Sequence, residues 1–435
     1  MRRIVGEDPD FSSLGEEMWR MVKGLYPICR SITGEGLRET LRVIGEHIPL
    51  RTRELPTGKR VLDWTIPMEW NVREAFVENS RGERVIDFED HNLHLLGYSH
   101  PLDAKMGLAE LKKHLHTLPD HPDWIPYRTS YYDDNWGFCL SQNQLEGLPE
   151  DSYHVRIDTT LEEGHLSYGE CIFPGEVEDE VLLSCHACHP SMCNDNLSGI
   201  ALTTALGKLL SEMPSRRFTY HLLFAPATIG AIAWLSENLD RVGRVRHGLV
   251  VTCVGDPGHM TYKRSRRGTA RIDRAVELIL RESGEEYEVM DFSPWGYDER
   301  QYCSPGFDME VGSLTRSSHG RYPEYHTSAD DLDLVRPEHL SDSLRKYLAV
   351  IDVLENDRKY LNTVARGEPQ LGRRGLYRAV GGGTSEERML SLLWVLNLSD
   401  GDYGLMDIAK RSGLPFRVIR EAAGELLKTD LLREI

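Results

Sequence analysis

The segment Ser184-Cys185-His186-Ala187-Cys188-His189-Pro190-Ser191-Met192-Cys193-Asn194-Asp195-Asn196-Leu197-Ser198-Gly199 joins two regular elements. The apolar run 181–183 before it predicts a strand, and the apolar spacing of residues 200–210 after it predicts a helix. In open α/β sheets, ligands bind at the loops that leave the carboxyl ends of strands. Because imidazole and carboxylate groups are suitable zinc ligands, the segment predicts a metal-binding loop.

Two other interpretations of this segment compete with the metal site. Residues 185–189 fit the C-x-x-C-H pattern of haem attachment. No apolar secretory segment follows Arg2 and Arg3, so export to a haem-attaching compartment is not expected. Alternatively, Asp195 is an ordinary helix N-cap and the histidines are structural loop residues. A second, distant segment favours the metal site.

That second segment is Gly320-Arg321-Tyr322-Pro323-Glu324-Tyr325-His326-Thr327-Ser328-Ala329-Asp330-Asp331-Leu332. Together, the two segments resemble the co-catalytic zinc exopeptidase superfamily, which includes bacterial aminopeptidases, glutamate carboxypeptidase and glutaminyl cyclase. The resemblance implies that His186, Asp195 and His326 bind metal. His189 remains an alternative to His186, because Cys188 stands where the superfamily has an Asp that orients the first histidine.

The resemblance narrows to a bacterial family of aminopeptidase-like proteins that are often named polysaccharide-biosynthesis proteins. Residues 194–199, 296–306 and 322–328 are similar to its signatures. This resemblance implies a protease-associated-like inserted domain and a C-terminal winged helix. It also implies a small peptide or amide substrate, with Arg300 and Tyr325 as candidate substrate-binding residues. Arg300 could equally form a surface ion pair with a neighbouring acid.

The chain departs from the superfamily at its carboxylates. The run Pro226-Ala227-Thr228-Ile229-Gly230 has Ala227 where the resemblance implies a general-base Glu, and Thr228 where it implies a second metal-binding Glu. Thr252 stands where a metal-binding Asp is expected. Two His and one carboxylate suffice for a single zinc ion with an open fourth position. We therefore predict one Zn²⁺ per chain.

The alanine at the position of the general base leaves three interpretations open. The chain is a natural variant that has lost hydrolysis, or Ala227 is an introduced substitution, or Glu299 or Glu324 acts as the base. An alanine methyl group cannot accept a proton, and a positioned base typically contributes about 10²- to 10⁴-fold to the rate. The sequence thus favours either a zinc metallohydrolase or a metal-binding scaffold that has abandoned catalysis.

Composition predicts a cytoplasmic protein. The 435 residues carry a net charge of −18, with an isoelectric point near 5.4. No apolar run approaches the ~20 residues that a membrane span needs. Nucleic acid is an unlikely partner for such an acidic chain. The eight Cys, three of them in the metal loop, indicate reduced thiols rather than a disulfide framework.

Alternating strands and helices from about residue 179 predict an α/β fold with a mostly parallel sheet covered by helices. The predicted strands are 181–184, 220–224, 249–254 and 287–290, and the predicted helices are 200–210, 232–239, 272–281 and 338–355. We assign the zinc exopeptidase-like domain to 1–55 and 166–365. A β-rich inserted domain is assigned to 56–165, with predicted hairpins at 75–77 with 85–88 and at 154–157 with 165–168.

The C-terminal region predicts a winged helix-turn-helix domain over 380–435. It begins after the flexible join Gly381-Gly382-Gly383 and contains predicted helices at 389–396, 405–412 and 416–427. Residues 416–430 hold three basic and three acidic side chains, so the last helix lacks the positive charge of a DNA-reading helix. A packing role, self-association or a protein partner is favoured for this domain.

Overall fold

The computed structural model describes residues 9–376 and 386–435. Its strands are β1 (Arg51–Pro56), β2 (Arg60–Val61), β3 (Trp64–Thr65), β4 (Glu69–Glu78), β5 (Arg84–Asp87), β6 (Leu102–Gly107), β7 (Leu115–His116), β8 (Phe138–Cys139), β9 (Ser152–Glu162), β10 (His165–Phe173), β11 (Glu180–His186), β12 (Thr219–Ala225), β13 (Val245–Val251), β14 (Met260–Lys263), β15 (Tyr287–Met290), β16 (Val311–Thr315), β17 (Lys359–Asn362), β18 (Asp400–Gly404) and β19 (Leu432–Glu434). Its α-helices are α1 (Phe11–Leu25), α2 (Glu35–Gly45), α3 (Leu108–Leu111), α4 (Gln142–Gly147), α5 (Gly199–Glu212), α6 (Ile229–Glu237), α7 (Arg271–Ser283), α8 (Glu299–Tyr302), α9 (Pro337–Asn356), α10 (Glu386–Leu398), α11 (Leu405–Ser412) and α12 (Phe416–Lys428).

An eight-stranded sheet forms the centre of the molecule, in the order β1-β10-β12-β11-β13-β16-β14-β15. The pairs β11–β12, β11–β13, β13–β16 and β14–β15 are parallel, and the other three are antiparallel. Neighbouring residues of β11 belong to different hydrophobic clusters. Leu183 belongs to the cluster that includes α1, α5 and α9, and Leu182 to the cluster that includes α6 and the region before β10. Both faces are therefore buried, which explains why the strands read as continuous apolar runs. The α/β fold class is confirmed.

The four strands and four helices predicted for this domain are present as β11, β12, β13 and β15, and as α5, α6, α7 and α9. The predicted strand 249–254 extends too far, because β13 ends at Val251 and residues 252–254 form the loop that follows it. β14 and β16 were not predicted. β16 is fully buried between β13 and β14, yet its run Val311–Thr315 is interrupted by Gly312 and Ser313 and gives a weak apolar signal.

A separate four-stranded antiparallel sheet, in the order β5-β4-β9-β6, lies between β1 and β10 in the chain. The predicted hairpin of residues 75–77 with 85–88 corresponds to β4 and β5. The predicted hairpin of 154–157 with 165–168 is wrong. β9 pairs with β4 and β6, whereas β10 crosses into the central sheet and pairs with β1 and β12. The two residues between them, Glu163 and Gly164, are the point at which the chain crosses from one sheet to the other.

The C-terminal region folds as α10, α11 and α12 with the three-stranded sheet β18-β17-β19. This is a winged-helix arrangement, and the three predicted helices are present. The join Gly381-Gly382-Gly383 falls outside the described residues. Across residues 9–376 and 386–435, no helix combines the length and the apolar character that crossing a membrane requires.

Candidate metal centre

Asp195 lies at the centre of the candidate site, in the loop between β11 and α5. Its Oδ1 lies 2.8 Å from Nε2 of His186, the last residue of β11. Its Oδ2 lies 3.0 Å from Nε2 of His326, which the loop after β16 supplies. Each oxygen of the Asp195 carboxylate thus contacts one imidazole. The structure brings together the three residues that the resemblance implied as metal ligands.

His189 belongs to the same cluster. Its Nε2 lies 3.9 Å from Oδ2 of Asp195. One donor atom from each of His186, His189 and Asp195 lies within 4.8 Å of the others, a grouping that is compatible with a metal ion. The His189 ring lies 5.2 Å from the His326 ring, between centroids. His189 is therefore not merely an alternative to His186, because both imidazoles face the carboxylate.

Cys188 contacts His189 rather than His186. Its Sγ lies 3.3 Å from Nδ1 of His189 and 3.9 Å from the carbonyl oxygen of Ala227. A proton on Nδ1 of His189 donated to this sulfur leaves the lone pair of Nε2 directed toward the site. The sequence placed Cys188 at the orienting position of the first histidine. The structure shows that the imidazole it contacts is the second.

Asp330 holds the loop that carries Asp195 through hydrogen bonds to its backbone. Its carboxylate accepts hydrogen bonds from the backbone N–H groups of Asn194, at 2.5 Å, and Asp195, at 2.9 Å. The Asn196 side chain donates to the carbonyl oxygens of His186 and Val251, at 3.0 and 3.2 Å. These contacts join the ends of β11 and β13 to the loop. Asp195 is consequently fixed by backbone bonds that do not occupy its side-chain oxygens.

The electrostatics of the cluster favour a charged carboxylate beside imidazoles. Burial acts to raise the pKa of Asp195, but His189 and His186 and the hydrogen bonds from His186 and His326 hold that pKa well below its usual range. Burial acts to lower the pKa of His186, and Asp195 outweighs it, so this pKa is raised. For His189 burial dominates and the pKa is lowered well below its usual value. Its imidazole is neutral at pH 7.

His326 forms the open side of the site. Its side chain is 34% exposed, against 1% for Asp195 and 12% for His189. The ring of Tyr325 stacks on it at 3.9 Å between centroids. The backbone N–H of Tyr127, from the segment before β10, donates to the carbonyl oxygen of His326 at 2.9 Å. The cluster is therefore most exposed on the side of His326, where Tyr325 and Tyr127 contact this residue.

The expected carboxylates are replaced by small side chains at the same edge of the sheet. Ala227 and Thr228 follow the end of β12, and the carbonyl of Ala227 meets Cys188 as described above. The Thr228 hydroxyl accepts a hydrogen bond from Nη2 of Arg300 at 3.1 Å. Thr252 Oγ1 contacts Cys253 Sγ at 3.5 Å. A guanidinium thus stands beside the position where a second metal-binding carboxylate was expected.

The sequence left open whether Arg300 binds substrate or forms a surface ion pair. In the structure its side chain donates a hydrogen bond to Thr228. Among the described residues Arg300 forms no ion pair, and its buried Nε has no hydrogen-bond partner. Glu299 is fully buried and pairs with Nζ of Lys263 at 2.8 Å. Glu324 is partly buried in the His326 loop. Pairing with Lys263 makes Glu299 the poorer of the two candidate bases.

Asp298 is a carboxyl group near the site that the sequence analysis missed. It is buried, and its Oδ1 has no hydrogen-bond partner among the described residues. Burial raises its pKa to about 6, with His186 acting in the opposite direction. The neighbouring Tyr297 ring lies 5.9 Å from the ring of His186 and nearly parallel to it. The residue sits within the 296–306 motif, but nothing in that run indicated its burial.

Comparison with known proteins identifies the class of fold to which the chain is similar. The zinc aminopeptidase BSAP of Bacillus subtilis superposes with a TM-score of 0.58 at 10% identity, over 78% of this chain and 94% of that chain. At that identity the likeness concerns the fold alone. The fold is that of the zinc aminopeptidases, with an additional C-terminal winged helix.

Closer relatives define the family. Residues 19–357 match the family DUF4910, described as a domain of unknown function, and residues 358–434 match a winged helix-turn-helix family. The chain belongs to the DUF4910 family. A Clostridium acetobutylicum protein named for polysaccharide biosynthesis and an aminopeptidase-like domain is 51% identical over 423 residues, 97% of each chain. A crystal structure of a protein from that organism named as a peptidase superposes with a TM-score of 0.94 at 50% identity, covering 98% of both chains.

Proposed function

We propose that this protein is a single-zinc hydrolase of a peptide or amide bond, with slow turnover because Ala227 replaces the general base. The observation that carries the proposal is the buried carboxylate of Asp195 with an imidazole Nε2 within 3.0 Å of each oxygen. Nitrogen and oxygen donors of these types suit zinc. Among the described residues, Asp195 is the one carboxylate grouped with histidines in a way that could hold a metal ion, which favours a single zinc. The cellular role suggested by the relative's name is near polysaccharide assembly.

His186, Asp195 and His326 would hold the ion. The separations of 2.8 and 3.0 Å are slightly shorter than the ~3.3 Å between ligand atoms of a tetrahedral zinc site, so the imidazoles need move only a little. Bound zinc lowers the pKa of a coordinated water to about 7 and polarises a carbonyl group. The remaining steps fall to residues of this chain.

If these three residues held the ion, His189 would stand beside it as a fourth imidazole or carboxylate group of the cluster. Its Nε2 is 3.9 Å from Asp195 Oδ2, too far for a hydrogen bond, and its low pKa keeps the ring neutral. A neutral imidazole can orient the attacking water and accept part of its proton. Arg300 and Tyr325 would bind the substrate, with the guanidinium suited to a carboxylate group. These roles give His189 part of the task that a Glu at 227 would perform.

A second candidate is a metal-binding scaffold without catalysis, and one specific observation favours it. If His189 moves the short distance to the ion, four protein ligands close the site as in structural zinc centres. The methyl group of Ala227 is consistent with this alternative. The two proposals differ in whether the zinc ion would keep a coordination position open for water or substrate.

The test is the substitution Ala227→Glu, assayed with zinc on aminoacyl, acyl-amino-acid and N-acetyl sugar amides. A carboxylate there would receive a proton from the attacking water and deliver it to the leaving amine, so turnover should rise by about 10²- to 10⁴-fold. The matched control is the double variant with Asp195→Asn, which should be inactive. Equal and substantial turnover before and after the change would place the base elsewhere, with Glu324 and Glu299 the next candidates. No turnover by any zinc-loaded variant would support the scaffold.

A further inference from the structure

A pocket of about 340 Å³ opens at the junction of the two matched families, away from the metal centre. Its walls come from the α/β lobe (residues 19–357) and from the C-terminal lobe (residues 358–434). Five basic side chains line it together with two acidic ones: Arg217, Arg271, Arg274, Arg358, Lys359, Asp357 and Asp407. These five cations lie together on a chain whose net charge is −18.

Three of these cations have acidic partners. Arg271 pairs with Oδ2 of Asp357 at 2.9 Å, and Arg274 pairs with Asp407 across the two lobes. Arg358 pairs with Glu434 at 3.1 Å. These ion pairs fix the walls of the pocket.

The other two cations are not neutralised by an ion pair within the part of the chain that the structure describes. Nη1 of Arg217 donates to the backbone carbonyl of Asp357 at 3.3 Å, and no carboxylate lies within salt-bridge distance of its side chain or of Lys359. The buried Nε atoms of Arg217 and Arg271 lack hydrogen-bond partners. Positive charge therefore exceeds negative charge in the pocket lining.

The positive charge of the pocket affects the pKa values of Arg217 and His247. Burial, followed by the charges of Arg358 and Arg271, lowers the pKa of Arg217. Burial also lowers the pKa of His247 to about 3, with Arg271 and Arg217 acting in the same direction. The charges of Arg358 and Arg271 thus add to the effect of burial on the pKa of Arg217, whereas Glu355 and Glu434 act in the opposite direction. An anion in the pocket would stabilise the charged form of these guanidinium groups.

We propose that this pocket binds a small phosphorylated metabolite carrying at least two negative charges. Guanidinium groups match phosphate oxygens in paired hydrogen bonds, and the volume lies within the range of small-molecule sites. Because Arg217 and Arg271 belong to one lobe and Lys359 to the other, the bound anion contacts both. The site is independent of the proposed hydrolase reaction.

The experiment is calorimetric titration of the zinc-loaded full-length chain with glucose 1-phosphate, at ionic strength matched with KCl. The pocket variant is Arg358→Gln combined with Lys359→Gln, and the matched control is Lys410→Gln, an exposed cation of the C-terminal lobe outside the pocket. His326→Ala tests for binding at the zinc site instead. Circular dichroism checks that each variant is folded.

We expect one site per chain with a Kd below about 1 mM, weakened at least about tenfold in the pocket variant and unchanged in Lys410→Gln and His326→Ala. Absence of saturation up to about 10 mM would overturn the proposal. So would equal weakening by Lys410→Gln, or loss of binding in His326→Ala alone. Displacement of the sugar phosphate by an equimolar DNA duplex would assign the pocket to nucleic acid and likewise contradict it.

Discussion

At the scale of single residues, the candidate metal centre is defined by the imidazoles that contact Asp195 directly. His186 and His326 lie within hydrogen-bonding distance of its two oxygens, and His189 lies farther away. The resemblance of two sequence segments to the zinc exopeptidase superfamily pointed to these residues, which residue types and spacing alone did not single out. They could not show that Cys188 turns toward His189, because the direction of a side chain in a loop is set by tertiary contacts.

Zinc affinity should distinguish a histidine that binds the ion, such as His326, from His189, which lies beside it. His326→Ala removes a ligand and should weaken zinc affinity by at least about a hundredfold, a fraction of the ~10–16 kcal/mol that such sites supply. His189→Ala should change the affinity less than about tenfold, because the ring faces the open position. Chelator competition measures both, with His47→Ala, an exposed histidine of α2's C-terminal loop, as the control. Equal losses for His189→Ala and His326→Ala would indicate a closed four-ligand site.

At the scale of elements, the strands leading to the site were predictable and their partners were not. β11 and β12 are buried on both faces, so apolar runs marked them and the polar residues after them marked the site. β9 and β10 carry the same alternating pattern but pair in different sheets. Pairing depends on residues distant in the chain, such as β1, which local periodicity cannot reveal.

Glu69 ties the separate sheet to the α/β lobe, and this junction gives a pH-dependent prediction. The carboxylate of this β4 residue accepts from Arg38 of α2 at 2.5 Å and from the backbone N–H of His165 at 2.8 Å. Burial opposes ionisation, but these bonds and the Arg38 charge lower its pKa to about 2. The folded-state pKa is below the unfolded value, so the stabilisation is complete above about pH 4.5 and lost as the pH falls toward 2.

Glu69→Gln should therefore reduce the free energy of unfolding by about 2–3 kcal/mol at pH 7, and by progressively less below pH 4. Urea denaturation of metal-free protein at several pH values measures this. The control is Glu35→Gln, since Glu35 also bonds Arg38 but is 75% exposed and should cost little. A loss that is independent of pH, or equal for both variants, would show that the ionised Glu69 is not the stabilising group.

At the scale of the whole molecule, the winged helix is docked on the α/β lobe. Arg420 of α12 pairs with Asp352 of α9, and the backbone N–H of Phe416 donates to Glu282 of α7 at 3.0 Å. Arg388 of α10 pairs with Glu425 of α12 at 2.5 Å. The helix that would read DNA thus has part of its charge engaged by the protein itself.

Duplex DNA should consequently bind the full-length chain more weakly than about 1 μM at physiological salt. With few free cations on α12, little counterion is released on binding, which leaves a small driving force. Fluorescence anisotropy with a mixed-sequence duplex, repeated at two salt concentrations, measures affinity and salt dependence together. Sub-micromolar binding with a steep salt dependence would show that the C-terminal lobe is a DNA-binding module.

The proposed site holds a single zinc ion with an open coordination position. A crystal structure of the zinc-loaded chain, with anomalous data collected on both sides of the zinc absorption edge, would show the ion and its ligands. We predict one anomalous peak, with bonds of about 2.0–2.2 Å to His186, Asp195 and His326 and a solvent oxygen in the fourth position facing His189. Two peaks about 3.5–4 Å apart would show a dinuclear site, and one peak ligated by His189 with no solvent position would show a closed site; either result rules out the proposed open single-zinc centre.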